Sequence, residues 1–317
     1  MKKFLFRISL FMLPIVLLAY PIDVLLSYWY KKSHRYPGEM EVWNAIYDGS
    51  AQCDLAIYGS SRAWVHFDPK ILSDSLNCGV YNFGMDGQNF VLQYLRHKEF
   101  IKFNPYPKHI VLSLDVFSLS IKGGIYEMKQ FLPYVLWNPS LAKGTVNNQG
   151  LTWSDAIIPL VRYAGQTKVF NQIKMNIVND ESTPAYRKRG FRGMRRNWSN
   201  DFDLAKQQKQ TLQLAVDPVI LNQLEGFIQE CQKAGTSLTF VYCPEHILGQ
   251  GFLTNRQQIF ETFQTVAKRN NIDFLDYSNM DICNDTNYFY SASHLNKDGA
   301  MIFSKQLAHD LKTRWQQ

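Results

Sequence analysis

The sequence predicts an α/β protein with a three-layer αβα arrangement around a mostly parallel sheet, carrying one insertion and an N-terminal transmembrane helix. Three observations predict it. Short apolar runs, most of them ending near a glycine or aspartate, alternate with stretches of helical spacing. This alternation is lost between about residues 121 and 216 and then resumes. Ahead of it all lies a nearly unbroken apolar run from Ile8 to Leu26. With 317 residues, 46% of them hydrophobic, the chain can bury one large core with an insertion, or two domains at most.

The apolar run has the roughly 20 residues a bilayer-spanning helix needs. Lys2, Lys3 and Arg7 precede it, which keeps the short N-terminus in the cytoplasm and exports the rest of the chain. A cleaved signal peptide is the alternative, but the run is long for one and no small-x-small cleavage site comes after it. The expected organisation is a membrane anchor over 1–28, a stem over 29–53 and an α/β domain over 54–317. Lys31, Lys32, His34 and Arg35 in the stem form a juxtamembrane basic group suited to anionic head groups. The expected location is therefore the cell membrane, single-pass, with the domain on the extracytoplasmic (periplasmic) side.

Leu55-Ala56-Ile57-Tyr58 reads as a buried strand closed by Gly59, with Asp68-Pro69 capping a helix to about Leu76. Val80 to Phe83 is the next strand, closed by Gly84 and Gly87, followed by helical spacing from Gln88 to Ile101. His109 to Leu114 is a third strand, ending at Asp115. The irregular region holds only weak helical stretches such as Ser154 to Tyr163 and reads as a lid or substrate platform. Asp217-Pro218 then caps a helix to Ala234, and Leu238 to Tyr242 is a strand. A helix from about Asn255 to Arg269, a strand from Ile272 to Leu275 and a helix from about Asp298 to Trp315 complete the pattern.

The net charge of +7 is spread along the chain without a nucleic-acid motif, so nucleic acid is not an expected partner. The densest basic cluster, Arg187-Lys188-Arg189 with Arg192, Arg195 and Arg196, reads as a solvated loop, with acidic glycan or lipid phosphate as the other use. The five cysteines have no zinc spacing, and neither metal nor cofactor is expected. Cys53 and Cys78 each precede a strand, leaving open a disulfide or two free thiols.

In open parallel sheets, ligands bind at the carboxyl ends of strands, which directs attention to the residues after each strand. Ser61 lies in the tight turn Gly59-Ser60-Ser61-Arg62, where a hydroxyl stands above the sheet edge beside backbone N–H groups that can hold an oxyanion. The bland use of such a serine is helix capping. A nucleophilic serine needs a base, and His294 in Tyr290-Ser291-Ala292-Ser293-His294-Leu295-Asn296 lies on a loop between the last strand and the last helix.

Three blocks in order resemble the SGNH (GDSL-like) hydrolase superfamily: Leu55 to Arg62, Asn82-Phe83-Gly84-Met85-Asp86-Gly87, and Ser293-His294-Leu295-Asn296 with Gly299. Within it the chain is most similar to the membrane-anchored subgroup of alginate O-acetylation and teichoic acid D-alanyl transfer proteins, over about residues 54–115 and 238–313. The resemblance implies a flavodoxin-like SGNH-hydrolase fold and an esterase or O-acyltransferase. Ser61 would be its nucleophile, His294 its base, and the amides of Ser61 and Gly87 its oxyanion hole. Ser60, Arg62, Asn89, Asp115 and Ser291 are the supporting candidates. The implied partners are the lipid bilayer, an acylated polysaccharide or glycan substrate, and membrane-bound export or acyltransferase proteins.

Two departures matter. Ser291 stands where such proteins carry aspartate three residues before the histidine, so Asp276, Asp281 or Asp285 would have to substitute, or a Ser-His dyad would act alone. Leu112 to Phe117 shows no oxyanion-donating asparagine, and Asp115 at that strand end would repel an oxyanion; it is expected to cap a loop or bind a substrate hydroxyl. These departures keep a second expectation open, a weak or inactive member that binds polysaccharide or partners during export.

Overall fold

A computed structural model of the chain describes residues 2–34, 38–121, 123–178, 185–199, 207 and 212–315. Along the chain run α1 (Lys2–Lys31), α2 (Glu39–Tyr47), β1 (Leu55–Tyr58), α3 (Ser61–His66), α4 (Pro69–Leu76), β2 (Val80–Asn82), α5 (Phe90–Phe103) and β3 (His109–Leu114). Then come the helices α6 (Leu132–Val135), α7 (Pro139–Asn147), α8 (Trp153–Ile157) and α9 (Thr167–Val178). The remainder is α10 (Pro218–Lys233), β4 (Ser237–Tyr242), α11 (Ile247–Gln250), α12 (Arg256–Arg269), β5 (Asp273–Asp276), β6 (Phe289–Ser291), β7 (His294–Leu295) and α13 (Lys297–Trp315). The chain divides into two compact units: Met1–Asn44 with Gly123–Tyr186, and Ala45–Lys122 with Arg187–Gln317. The stretch expected as an insertion over about 121–216 is thus shared, its part from Arg187 onward belonging with the sheet.

In the second unit five strands form one sheet in the order β2-β1-β3-β4-β5. Every pairing within it is parallel. Because successive side chains leave a strand on opposite faces, each strand supplies two cores. Leu55, Ile57, Val80, Val111 and Val241 pack with Phe67 and Leu72 and with Phe303 and Leu307 of α13. On the other face the rings dominate: Tyr58 stacks on Phe83 at 5.2 Å, Phe83 meets Phe100 of α5 at 4.7 Å, and Tyr58 meets Phe227 of α10. Tyr242 meets Phe260 of α12 at 4.5 Å. Helices on both faces of a parallel sheet make the three layers that the alternation predicts.

Local details decide where chains can approach. Gly59 takes φ +153, and a Cβ there would lie 2.7 Å from the Cβ atoms of both Ala63 and Ser113. Only glycine lets β1 turn this tightly into α3. The open edge of β2 is covered by residues 187–192: Asn82 N–H donates to Arg189 O at 3.0 Å, and Arg189 Nε donates to Val80 O at 2.6 Å. Arg187 is buried, with its guanidinium 4.3 Å over the Trp64 ring and donating to Gly84 O. The expectation of a solvated basic loop is corrected for Arg187, which is buried; Arg189 is exposed, and its carbonyl and Nε occupy the edge of β2 that has no strand partner. Cys53 and Cys78 are both free thiols here.

In the first unit α1 is a single 30-residue helix containing Pro14 and Pro21. Among the described residues no helix is long and apolar enough to cross a membrane. The expected span falls partly on Ile8, Ser9, Leu10, Met12, Ile15 and Val16, whose side chains lie outside the described residues, as does Arg35 of the stem. Asp23 is buried in an ion pair with Arg162 and accepts from Leu160 N–H at 2.7 Å. Ser27 and Tyr163 are hydrogen-bonded at 2.8 Å. Gly59→Ala is expected to cost about 2–4 kcal/mol from overpacking and a disfavoured φ, read as a lower urea midpoint.

Candidate active site

The turn from β1 into α3 divides its two serines between two tasks. Ser60 is the N-cap: its hydroxyl accepts from Arg62 N–H and donates to Asp115 Oδ2 at 2.5 Å. Ser61 begins the helix with its own hydroxyl uncommitted to capping, and Ser61 Oγ lies 2.8 Å from His294 Nε2. The two residues are separated by 233 positions in the chain. Capping was the bland explanation for Ser61, and Ser60 takes that role instead.

On the far side of the imidazole, His294 Nδ1 lies 2.9 Å from Ser291 Oγ and 3.1 Å from Ser293 Oγ. If Nδ1 carries the proton and donates to these hydroxyls, Nε2 is left as an acceptor facing Ser61. Two of the aspartates expected as substitutes are engaged with local backbone N–H groups. Asp276 accepts from Ser278 N–H and Asp285 from Asn287 N–H. Burial first, and the Arg62 charge second, push the His294 pKa down to about 4. Its imidazole is thus neutral at ordinary pH, the state a general base requires.

The tight hairpin of β6 and β7 supports this loop. His66 at the end of α3 is fully buried and accepts the Leu295 N–H at 2.9 Å through Nε2. Its ring stands edge-on to His294 at 6.2 Å between centroids. Burial, then the Arg62 charge, holds His66 well below the usual histidine range, and a neutral ring is what an accepting Nε2 needs. In the sequence His66 is set aside as lying in or beside a predicted element; its burial and its bond to Leu295 N–H come from the fold.

Asp115 is fully buried at the carboxyl end of β3 and pairs with Arg62 at 3.1 Å. Its charge is matched by that guanidinium, its second oxygen accepts from Ser60, and it lines the cleft beside Ser61. Arg62 also donates to Cys243 O at 2.5 Å and lies 4.6 Å over the Tyr242 ring. Glu245 approaches it at 3.8 Å while accepting from Tyr242 Oη and from Arg256. Glu245 follows β4, so the strand-end rule that found Ser61 also points to it. Asn89 is set apart from this cluster, donating to Ser120 O at 2.9 Å. Gly87 takes φ +67 in the turn after β2.

Ser61, Arg62, Asp115 and His294 line a cleft of about 230 Å³ whose walls include Val116, Phe117, Phe252 and Leu253. A wider groove of about 590 Å³ carries Arg196, Tyr290, Ser291 and His294. A hydroxyl held against a neutral imidazole, at the mouth of a small apolar cleft, can do nucleophilic acyl chemistry.

No family model matches this chain and no curated protein matches it. Among solved structures it is similar to an acetyl xylan esterase at 12% identity, covering 82% of this chain and 98% of that one with a TM-score of 0.40. It is also similar to a GDSL-like lipase from Bacteroides thetaiotaomicron at 10% identity, covering 87% of this chain and 100% of that one with a TM-score of 0.36. Identities and scores this low leave function to be argued from the site's own geometry.

His97 belongs to the same class of buried neutral histidines, its pKa lowered by burial to about 4. Since the unfolded chain takes up protons first, near pH 6.5, stability is full above that pH and lost as pH falls toward 4. Between pH 7 and 5 His97 alone should remove about 2 kcal/mol, with His66 and His294 acting in the same direction, measured by urea unfolding at the two pH values.

Proposed function

We propose that this protein is a membrane-anchored serine esterase or O-acyltransferase of the SGNH type. It acts outside the membrane on acyl esters, most simply acetyl esters, of cell-surface polysaccharide. The observation that carries the chemistry is Ser61 Oγ at 2.8 Å from His294 Nε2, with Ser60 relieving Ser61 of the cap. The order of the three sequence blocks supports the SGNH reading, and the all-parallel sheet is consistent with it. The exposed apolar residues of α1, with Lys3 and Arg7 near its start, support the anchor and its orientation.

In this mechanism Ser61 Oγ attacks the ester carbonyl while His294 Nε2 takes its proton. The tetrahedral oxyanion is held by the N–H groups of Ser61 and Gly87. Collapse expels the alcohol, which receives the proton from His294, and leaves the acyl group on Ser61. Water or a sugar hydroxyl, deprotonated by the same imidazole, then releases it. A cleft of about 230 Å³ suits a small acyl group, being smaller than the pockets that hold drug-sized ligands. The groove beside it, with Arg196 and Tyr290, offers room for a sugar chain.

Ser291 favours a second reading, a weakly active or inactive member that binds polysaccharide or export partners. A hydroxyl orients the imidazole but does not stabilise imidazolium as a carboxylate does. Ser61→Ala is expected to lower 4-nitrophenyl acetate hydrolysis about a thousandfold; wild-type protein with no turnover, but with glycan binding that Ser61→Ala leaves intact, would establish the binding reading instead. The acid limb of kcat/KM should fall near pH 4, where His294 gains its proton. Ser291→Asp should raise the rate about tenfold or more and move that limb upward, because the new carboxylate favours imidazolium.

A further inference from the structure

When Ser61 gives up its proton, His294 becomes a cation, and a Ser-His-Asp arrangement steadies that cation with a carboxylate. Here the hydroxyls of Ser291 and Ser293 occupy that place. Charged groups do reach the cleft from the surrounding elements. Arg62 of α3, Asp115 after β3, Glu245 after β4 and Arg256 of α12 all line it. Their carboxylates are committed to their arginines, Asp115 to Arg62 and Glu245 to Arg256 and Arg62. His66 stands edge-on to the base at 6.2 Å, held neutral by burial and by Arg62.

What faces the imidazole instead is an aromatic ring. Tyr290 stacks on His294 with centroids 5.2 Å apart and planes 15° apart. Atoms of parallel rings in contact lie about 3.5–4 Å apart, so this is an offset stack, with the imidazole over part of the tyrosine face. An aromatic face carries the negative part of the ring's quadrupole and attracts a cation within about 6 Å of the centroid. A neutral imidazole gains little from that field and an imidazolium gains more, so the contact strengthens as the reaction proceeds. Arg196, at 5.9 Å from the same centroid, sits at the outer limit of the range.

The backbone holds Tyr290 where the stack needs it. Phe289 before it is fully buried, and alternation along β6 turns Tyr290 the other way, into the groove that His294 also lines. Tyr290 O accepts the Ser199 N–H at 3.0 Å, and Ala292 O accepts the His246 N–H at 2.9 Å. Ser291 pairs with His294 across the hairpin. Hydroxyls rotate, so Ser291 and Ser293 fix only a direction at Nδ1; a stacked face also fixes the plane of the imidazole.

We propose that Tyr290 is a positioning residue for the base: its face holds the imidazole plane and stabilises the imidazolium formed as Ser61 attacks, a task that elsewhere falls to a carboxylate. This rests on the Ser-His reading of the site and gives a second role to a residue placed so far only in the groove wall.

The full chain with Tyr290→Phe, and the same variant with increasingly fluorinated rings, tests this, because fluorine removes the negative potential of the face at nearly constant shape. Hydrolysis of 4-nitrophenyl acetate should slow stepwise along the series, by about tenfold from Tyr290→Phe to the fully fluorinated ring, at unchanged circular dichroism. The loss should fall on kcat and kcat/KM alike, as for an interaction made only in the transition state. The acid limb of kcat/KM should move down in the same order, since a weaker face favours the neutral imidazole. Tyr290→Leu should lose about as much as full fluorination, with Tyr290→Phe recovering most of it. Flat rates along the series, or a limb that stays in place, overturn the proposal. A rise in KM at constant kcat assigns Tyr290 to substrate binding and overturns it too. Wild-type chain without turnover defeats the esterase reading, and the His294 titration then decides the role of Tyr290 by itself. Followed by NMR on folded protein with isotope-labelled histidine, its midpoint should be lower in Tyr290→Leu than in wild type; equal midpoints overturn the stabilising role.

Discussion

The active-site end of the sheet depends on one buried cation. The Arg62 guanidinium reaches Asp115 at the end of β3, Cys243 O and Glu245 after β4, and the Tyr242 ring, while its own backbone follows β1. A charge out of water costs several kcal/mol unless it is paired and hydrogen-bonded, so each of these strand ends is held to a fixed place by the need to satisfy it. Ser60 adds the link from hydroxyl to Asp115. Ser61 sits between two anchored neighbours, and its hydroxyl is aimed at His294 by the constraints on Ser60 and Arg62 rather than by contacts of its own.

The same cation has an electrostatic consequence. Arg62 lies close enough to His294 and His66 to disfavour a second positive charge on either, adding to the effect of burial. A resting neutral imidazole is gained, and stabilisation of the imidazolium that forms during attack is lost. In a Ser-His-Asp arrangement the carboxylate offsets that loss. Here Ser291 and Ser293 contribute only oriented hydroxyl dipoles. The site is therefore built for geometry more than for basicity, with His66 holding the loop backbone one residue beyond the base.

How much of this is legible in the sequence depends on the range of the interactions. The strands and most helices of the sheet unit show in the alternation, since period-two and period-3.6 patterns are local. Ser61, His294 and Ser291 were visible because strand ends and block order mark them. Helix α3 was hidden because Trp64, Val65 and His66 are buried among other elements and leave no polar face to reveal a period. Arg62 and Asp115 are 53 positions apart, and nothing local marks an arginine that will be buried. Arg187 illustrates the reverse error: a run of basic residues reads as solvated, yet one of them lies over Trp64 beneath the surface.

Asp23 and Arg162 in the first unit invite the same physical argument as Arg62 and Asp115. A buried pair of this kind adds little net stability over apolar residues of the same shape, yet breaking it strands a charge. Its value is discrimination between packings. Each residue along a helix is rotated about 100° from the last, so sliding or turning α1 by one position would carry Asp23 away from Arg162 and from the Leu160 amide together. Leucines and phenylalanines on the same helix would tolerate such a shift at small cost. One polar group therefore fixes the register of a helix whose apolar residues leave it undetermined, just as one arginine fixes the strand ends around Ser61.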